Sequence, residues 1–439
     1  LGKKFVTSLT AFKHKNFTFF VIARFLATVA LQIQGVAVGW QIYQYTGNPL
    51  DLGLIGLAQF LPFALLILIA GHYADQWNRR SIMLSCFFVE LMCGLSLLFF
   101  ALEGLTSVIP VFAVMALYGA ARAFMMPASQ AILVNLVPNE SLANAVAINS
   151  SLYHIAVIAA PPLGGFLYLF GTQIVYSVVT VLLCFAVLLM LPIRVKFETK
   201  KHEPLSLNGL FEGIRFVRSR PIIFGALSLD LLAVLFGGAT ALLPAYANDV
   251  LHVDSVGLGL LRGAPALGAT VTAIILSVFP ITHRVGLWMF AGVLIFGVAT
   301  VVFGVSECFE LSLIALFLVG AGDMVSVYIR HILVQLETPD EIRGRVSAVN
   351  SVFIGASNEL GEFESGITAA LFGIVPAVIV GGSLTIGVTL ICMWAFPILR
   401  KMNRFPKVEI KTNCCLHNSK IDTNTLNKLS NSSITKRLL

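Results

Sequence analysis

Where this chain puts its lysines and arginines constrains it more than any other feature. Twelve long apolar stretches run at residues 17–41, 52–73, 81–102, 108–126, 145–170, 172–191, 221–247, 256–279, 285–305, 311–336, 346–372 and 376–399. A helix needs about 20 residues to cross about 30 Å of hydrocarbon, and each stretch is long enough to do so. The 29 Lys and Arg residues lie before the first stretch, after the last, or in alternate gaps between them, except for Arg24, Arg122, Arg262 and Arg330 inside stretches. The opposite gaps, near Tyr45, Glu103, Gly171, Asp249, Glu307 and Gly373, carry none. Cytoplasmic loops retain cations, so this alternation predicts a chain threaded many times through a bilayer with both termini cytoplasmic.

Composition excludes the soluble classes. With 57% hydrophobic and only 12% charged residues, too little polar surface remains to coat a globule of 439 residues. The net charge of +7 is spread over loops that face an anionic inner leaflet and is not gathered in one patch, so no nucleic-acid partner is expected. The seven cysteines form no CxxC or Cys/His ligand pattern. Cys86, Cys93, Cys184 and Cys392 fall inside spans as small apolar side chains, while Cys414 and Cys415 are either plain tail residues or a lipidation site. No catalytic residue, metal or cofactor is expected. The first stretch is too long for a signal peptide, so no cleavage is expected.

The chain divides into a cytoplasmic segment (1–16), a first six-helix bundle (17–192), a cytoplasmic linker (193–220), a second six-helix bundle (221–400) and a polar tail (401–439) expected to be disordered. In the linker, Leu207, Leu210, Phe211, Ile214, Phe216 and Val217 predict a short amphipathic helix along the inner membrane surface. An internal repeat supports the division. Leu133-Val134-Asn135-Leu136 recurs as Leu333-Val334-Gln335-Leu336, Pro138-Asn139-Glu140 as Pro339-Asp340-Glu341, and Ala147-Ile148-Asn149-Ser150 as Ala348-Val349-Asn350-Ser351. The expected fold is an all-α membrane protein with twelve transmembrane helices in two pseudo-symmetric six-helix bundles, an arrangement that builds a central site between repeats.

Gly71-His72-Tyr73-Ala74-Asp75-Gln76-Trp77-Asn78-Arg79-Arg80 resembles the signature loop of the major facilitator superfamily, with Asn78 where glycine is usual. Asn tolerates the left-handed conformation expected there. Ala160-Pro161-Pro162-Leu163-Gly164-Gly165 is similar to the superfamily's antiporter element; the prolines imply a bend and the glycines a tight seam. Gly320 to Asp323, Thr338 to Val346, Arg24-Phe25 and Gly35 to Val38 resemble the bacterial branch that contains enterobactin exporters and macrolide-efflux pumps. The resemblance implies that Asp75 holds the inward-closed interface at the start of span eleven; either Arg79 or Arg80 pairs across it, or both are only inside-facing anchors.

Ionised side chains at membrane depth are costly unless paired or wetted. Arg24, Arg122, Asp230 and Asp323 lie in spans one, four, seven and ten, which by the resemblance line a central cavity. Aligning the halves at Gly119 and Gly320 makes Arg122 and Asp323 equivalent; they either pair across the halves as a gate or are neutralised separately. In span eleven, Gly355, Glu359, Glu362 and Gly366 share one helical stripe, and Glu364 points away from it. That stripe should face protein or water. Glu359 or Glu362, with Asp230 as competitor, is the candidate carrier of a coupling proton; a structural hydrogen-bonded cluster is the other reading. Gln32, Gln34, Gln41 and Gln59 either bind a polar substrate or join helices. His154 reads as a core histidine, Glu90 as a carboxyl with a structural partner, and Arg262 and Arg330 as secondary candidates.

The sequence therefore predicts a monomeric bacterial inner-membrane antiporter that exports an amphipathic siderophore or drug-like molecule, powered by the proton gradient. A substrate:proton symporter is the first alternative, and an intramembrane enzyme or receptor the second.

Overall fold

A chain inside hydrocarbon must satisfy its backbone within itself, which leaves helices or a closed barrel, and apolar stretches of about 20 residues fit the helices. In the computed structural model, residues 10–194, 214–339 and 342–406 are described. Among these residues, twelve helices of at least 16 residues follow the twelve stretches. α1 (Lys15–Thr46) stops at Gly47, whose φ of 62° lets its N–H bond back to the Tyr43 carbonyl. α2 (Pro49–Gln76) begins with an Asn48 cap and a proline in its first turn. The others are α3 (Arg79–Glu103), α4 (Ile109–Leu136), α5 (Asn139–Tyr168), α6 (Thr172–Met190), α7 (Pro221–Phe236), α8 (Ser255–Val278), α9 (Val285–Val305), α10 (Phe309–Glu337), α11 (Arg343–Phe372) and α12 (Ile374–Ala395).

Three local expectations change. Asn78 is not left-handed: at φ −61° and ψ 111° it is extended, and its side chain accepts from the Arg80 N–H as the α3 cap. α4 runs ten residues past the stretch 108–126, through Pro127, because the helix continues beyond its most apolar part. Span seven is not one helix. It breaks at Gly237 and Gly238, turns through Ala239–Leu242 and resumes as Leu243–Asp249. The break leaves room for no side chain, since a Cβ at Gly237 would lie 2.3 Å from the Phe296 ring and one at Gly238 2.5 Å from the Gly361 carbonyl.

Eleven spans are long and apolar enough to cross a membrane by composition alone, counting Pro221–Asp249 as one. α11 is the exception; its polar residues are accommodated because it packs between α2 and α7. The two sets of six helices repeat one packing scheme. α1 packs on α5 and α6, α3 on α4 and α6, and α2 on α4; correspondingly α7 packs on α11 and α12, α9 on α10 and α12, and α8 on α10. Gly119 and Gly320, the positions that align the halves, do the same job. A Cβ would meet the Gln59 carbonyl oxygen of α2 at 2.0 Å in one case and the Pro265 carbonyl oxygen of α8 at 1.8 Å in the other.

The halves meet along α2–α11 and α5–α8. At the membrane end away from the N terminus, Gly366 lies on Gly53 and Gly165 on Ser255, with a hypothetical Cβ 2.8 Å and 2.0 Å from the opposing backbone. The Ser255 hydroxyl donates to the Gly165 carbonyl at 2.8 Å. Without a hydrophobic drive between helices in lipid, such backbone approach supplies the packing energy. Of the expected linker helix, residues 214–219 are helical, and Val217 is buried with Ile223, Leu227 and Val334. Leu207, Leu210, Phe211 and the tail from residue 407 lie outside the described residues.

Gly119→Ala and Gly320→Ala are each expected to cost about 1–3 kcal/mol by overpacking and to lower the thermal unfolding midpoint in detergent. Gly387→Ala, where a Cβ would meet nothing within 4 Å, serves as the silent control.

Candidate transport cavity

A cavity of about 540 Å³ lies between the halves, walled by α1 to α5, α8, α11 and the broken part of span seven. That volume is in the range of sites that enclose drug-sized molecules. Its charged wall is built from both sides. Arg122 on α4 donates from Nη1 to Glu359 Oε1 on α11 at 2.6 Å. The Phe63 ring of α2 sits 5.3 Å from the same guanidinium, a cation–π contact.

Glu362, one turn further along α11, is accommodated by Gly56 of α2; a Cβ there would come within 2.7 Å of Glu362 Oε2. Arg262 on α8 reaches the other way, donating from Nη1 to the Gly35 carbonyl of α1 at 2.9 Å, within electrostatic range of Glu362. Arg122 and Arg262 therefore cross the interface in opposite directions. Further toward the end away from the N terminus, the Tyr43 hydroxyl of α1 donates to the Asp249 carboxylate of span seven.

The stripe of Gly355, Glu359, Glu362 and Gly366 faces the first half: Gly355 lies on Phe63, Glu359 on Arg122, Glu362 beside Gly56 and Gly366 on Gly53. Glu364 lies off it and accepts from the Thr368 hydroxyl at 2.9 Å. Arg24, Gln32, Gln34 and Gln59 line the cavity. Gln41 does not; its side-chain oxygen accepts from the Tyr176 hydroxyl at 2.6 Å and ties α1 to α6.

Other expectations are redirected by packing. Arg122 meets Glu359, not Asp323, because α11 lies across the interface while α10 is pressed onto α8 and α9 at Gly320 and Gly322. Asp323 does not line the cavity and has no ion pair among the described residues. Asp230 is held by Arg330 inside the second half, both buried. Arg79 and Arg80 do not reach across the interface in the contacts described. Arg79 bonds the Ala131 carbonyl and Asn135 near the end of α4, and Arg80 the Leu191 carbonyl after α6. Arg80 thus places a cation on a carbonyl beyond a helix C-terminus, while Arg79 ties into the last turns of α4. The side chain of Asp75 and the surroundings of Gly71 lie outside the described set.

In the Pro161-Pro162 element α5 stays helical, with Gly164 against the Ile33 backbone of α1 and Gly165 against α8. Glu90 is fully buried, yet neither carboxyl oxygen has a hydrogen-bond partner among the described residues, contrary to the expected pairing. His154 is exposed beside the Tyr153 ring and is not a core histidine. The residues that sequence reasoning missed are Gly56, Phe63 and the Tyr43–Asp249 pair. Only the closeness of Gly53 and Gly56 on one helix hinted at the first.

Two helical halves that repeat one packing scheme and enclose a charged cavity have the architecture of a membrane transporter. A model of the transmembrane secretion effector family matches residues 6–422, and the chain belongs to that family. It is 27% identical over 412 residues to the enterobactin exporter EntS of Citrobacter koseri, covering 90% of this chain and 95% of that protein. It is likewise 27% identical over 377 residues to EntS of Escherichia coli O81, covering 82% and 85%. Solved structures share the fold at lower identity. A bacterial homologue of the human lysosomal transporter Spinster, inward-facing and unoccupied, superposes with a TM-score of 0.68 at 15% identity over 88% of this chain and 95% of that one. A bacterial homologue of ferroportin, also inward-facing, gives 0.67 at 16% identity over 88% and 99%. The protein is thus a transporter of an export family, and it is not an enzyme.

Asp230 and Arg330 make a sharp stability test. Asp230→Leu or Arg330→Met alone strands a buried charge and is expected to cost about 3–5 kcal/mol, whereas the double substitution removes both charges and should recover most of that loss. Thermal unfolding of the purified proteins reads the difference.

Proposed function

We propose that this protein exports an amphipathic small molecule, siderophore or drug-like, across a bacterial inner membrane in exchange for protons, as a monomer with both termini cytoplasmic. The domain limits are those of the sequence: a first bundle at 17–192, a cytoplasmic linker at 193–220 and a second bundle at 221–400. The observation that carries the reading is the Arg122–Glu359 ion pair, which joins the two halves inside the cavity.

A proton arriving from the periplasmic side binds the Glu359 carboxylate and converts it to a neutral acid, so Arg122 loses its counterion and the halves lose one tie. Glu362, beside Gly56 on the same stripe, is the second carboxylate able to take the proton. Release of the proton to the cytoplasm restores the Arg122–Glu359 pair and leaves the cavity ready for substrate. The halves rock about the glycine contacts of α2–α11 and α5–α8 as the proton and the substrate exchange sides. Kinship to enterobactin exporters favours a siderophore-like cargo over a nutrient.

An efflux panel of siderophores beside macrolides, in cells lacking their own pumps, identifies the cargo. In proteoliposomes, outward substrate movement is expected to drive protons inward. Glu359→Gln should cut that proton flux by at least about tenfold while substrate counterflow continues. Protons travelling in the same direction as substrate would replace antiport with symport.

A further inference from the structure

Three arginines line the cavity, against two glutamates. Arg122 is matched by Glu359, and Arg262 is bound to the Gly35 carbonyl and faces Glu362. Arg24 is different. Its side chain has neither an ion pair nor a hydrogen bond among the described residues, although it stands nine residues into α1, about 14 Å along the helix. A guanidinium at that depth costs several kcal/mol unless water or an anion compensates it. Tyr153 on α5 lies within electrostatic range of the guanidinium, and Thr28 on its own helix with Ser129 and Gln130 on α4 add uncharged polar groups to the same cavity wall.

We propose that Arg24, with Gln130 and Tyr153, forms a subsite for an anionic group on the transported molecule, so the cargo is an aromatic or amphipathic acid and not a cation. The guanidinium binds the acid through charge-assisted hydrogen bonds. Tyr153 offers a hydroxyl and a ring face, and Gln130 an amide donor. Met126, Phe87 and Met83 line the same cavity and suit an apolar body. The subsite rests on the transport reading given above and adds a requirement to it. Exchange needs substrate to be held while Glu359 is ionised and occupies Arg122, and an anion site separate from that pair meets the need.

Isothermal titration of the full-length purified protein in nanodiscs with 1-naphthoate, and with tetraphenylphosphonium as the cationic counterpart, tests the subsite. Naphthoate is expected to bind wild-type protein more tightly than the phosphonium does. Arg24→Gln should weaken naphthoate at least tenfold, and Arg24→Lys should restore part of the loss, with unfolding midpoints confirming that each variant is folded. Equal naphthoate affinity in Arg24→Gln, absence of naphthoate binding to wild type, or preference for the phosphonium would overturn the proposal. Arg24-dependent binding without efflux of any acid from cells would leave the subsite standing and remove the export reading instead.

Discussion

Backbone-to-backbone contact at glycine is the interaction on which this structure depends. Lipid tails are as apolar as leucine, so helices in a bilayer gain little from hiding apolar side chains and must gain from close packing. Gly119 and Gly320 set the crossing of α2 with α4 and of α8 with α10. Gly53 and Gly366, and then Gly165 with Ser255, bring the halves together at one membrane end. Any side chain at these positions would hold the helices apart. The charged groups of the cavity would then lose the registry that lets Arg122 reach Glu359.

Onto this nearly symmetric frame the chain places charges asymmetrically. Glu359 and Glu362 stand on α11, whereas the repeat puts Ile158 and Pro161 at the matching places on α5. Arg122 answers from α4, and Asp323 stands at the equivalent place on α10. The result is a cavity whose polar ties run between halves, from Arg122 to Glu359 and from Arg262 to the Gly35 carbonyl, while the Asp230–Arg330 pair stays within one half. The first kind of tie changes when the halves move and suits coupling; the second stays with its bundle and suits stability. Glu90, buried without a partner among the described residues, belongs to neither group.

The stripe on α11 was legible because helical period and composition act together: two glycines and two glutamates on one face of a membrane helix cannot face lipid. The same reasoning failed for partners. Arg122 and Asp323 are equivalent by repeat and opposite in charge, yet equivalence across a pseudo-twofold does not bring two residues into contact. Arg79 and Arg80 followed a family pattern toward the interface, but they bond the Ala131 carbonyl within α4 and the Leu191 carbonyl after α6. Gln41 read like Gln34 and Gln59 in sequence; a rotation along α1 turned it toward Tyr176 instead of the cavity.

By itself the sequence determined the number of spans, their helical character, the duplicated halves and the buried charges. These follow from length, periodicity and the cost of polar groups in hydrocarbon, all local to each stretch. Only the tertiary structure decided which charges meet, where span seven breaks, and that Arg24 faces the cavity without a partner among the described residues. Those outcomes depend on helices distant in the chain approaching to within a glycine's width, and no local pattern encodes that distance.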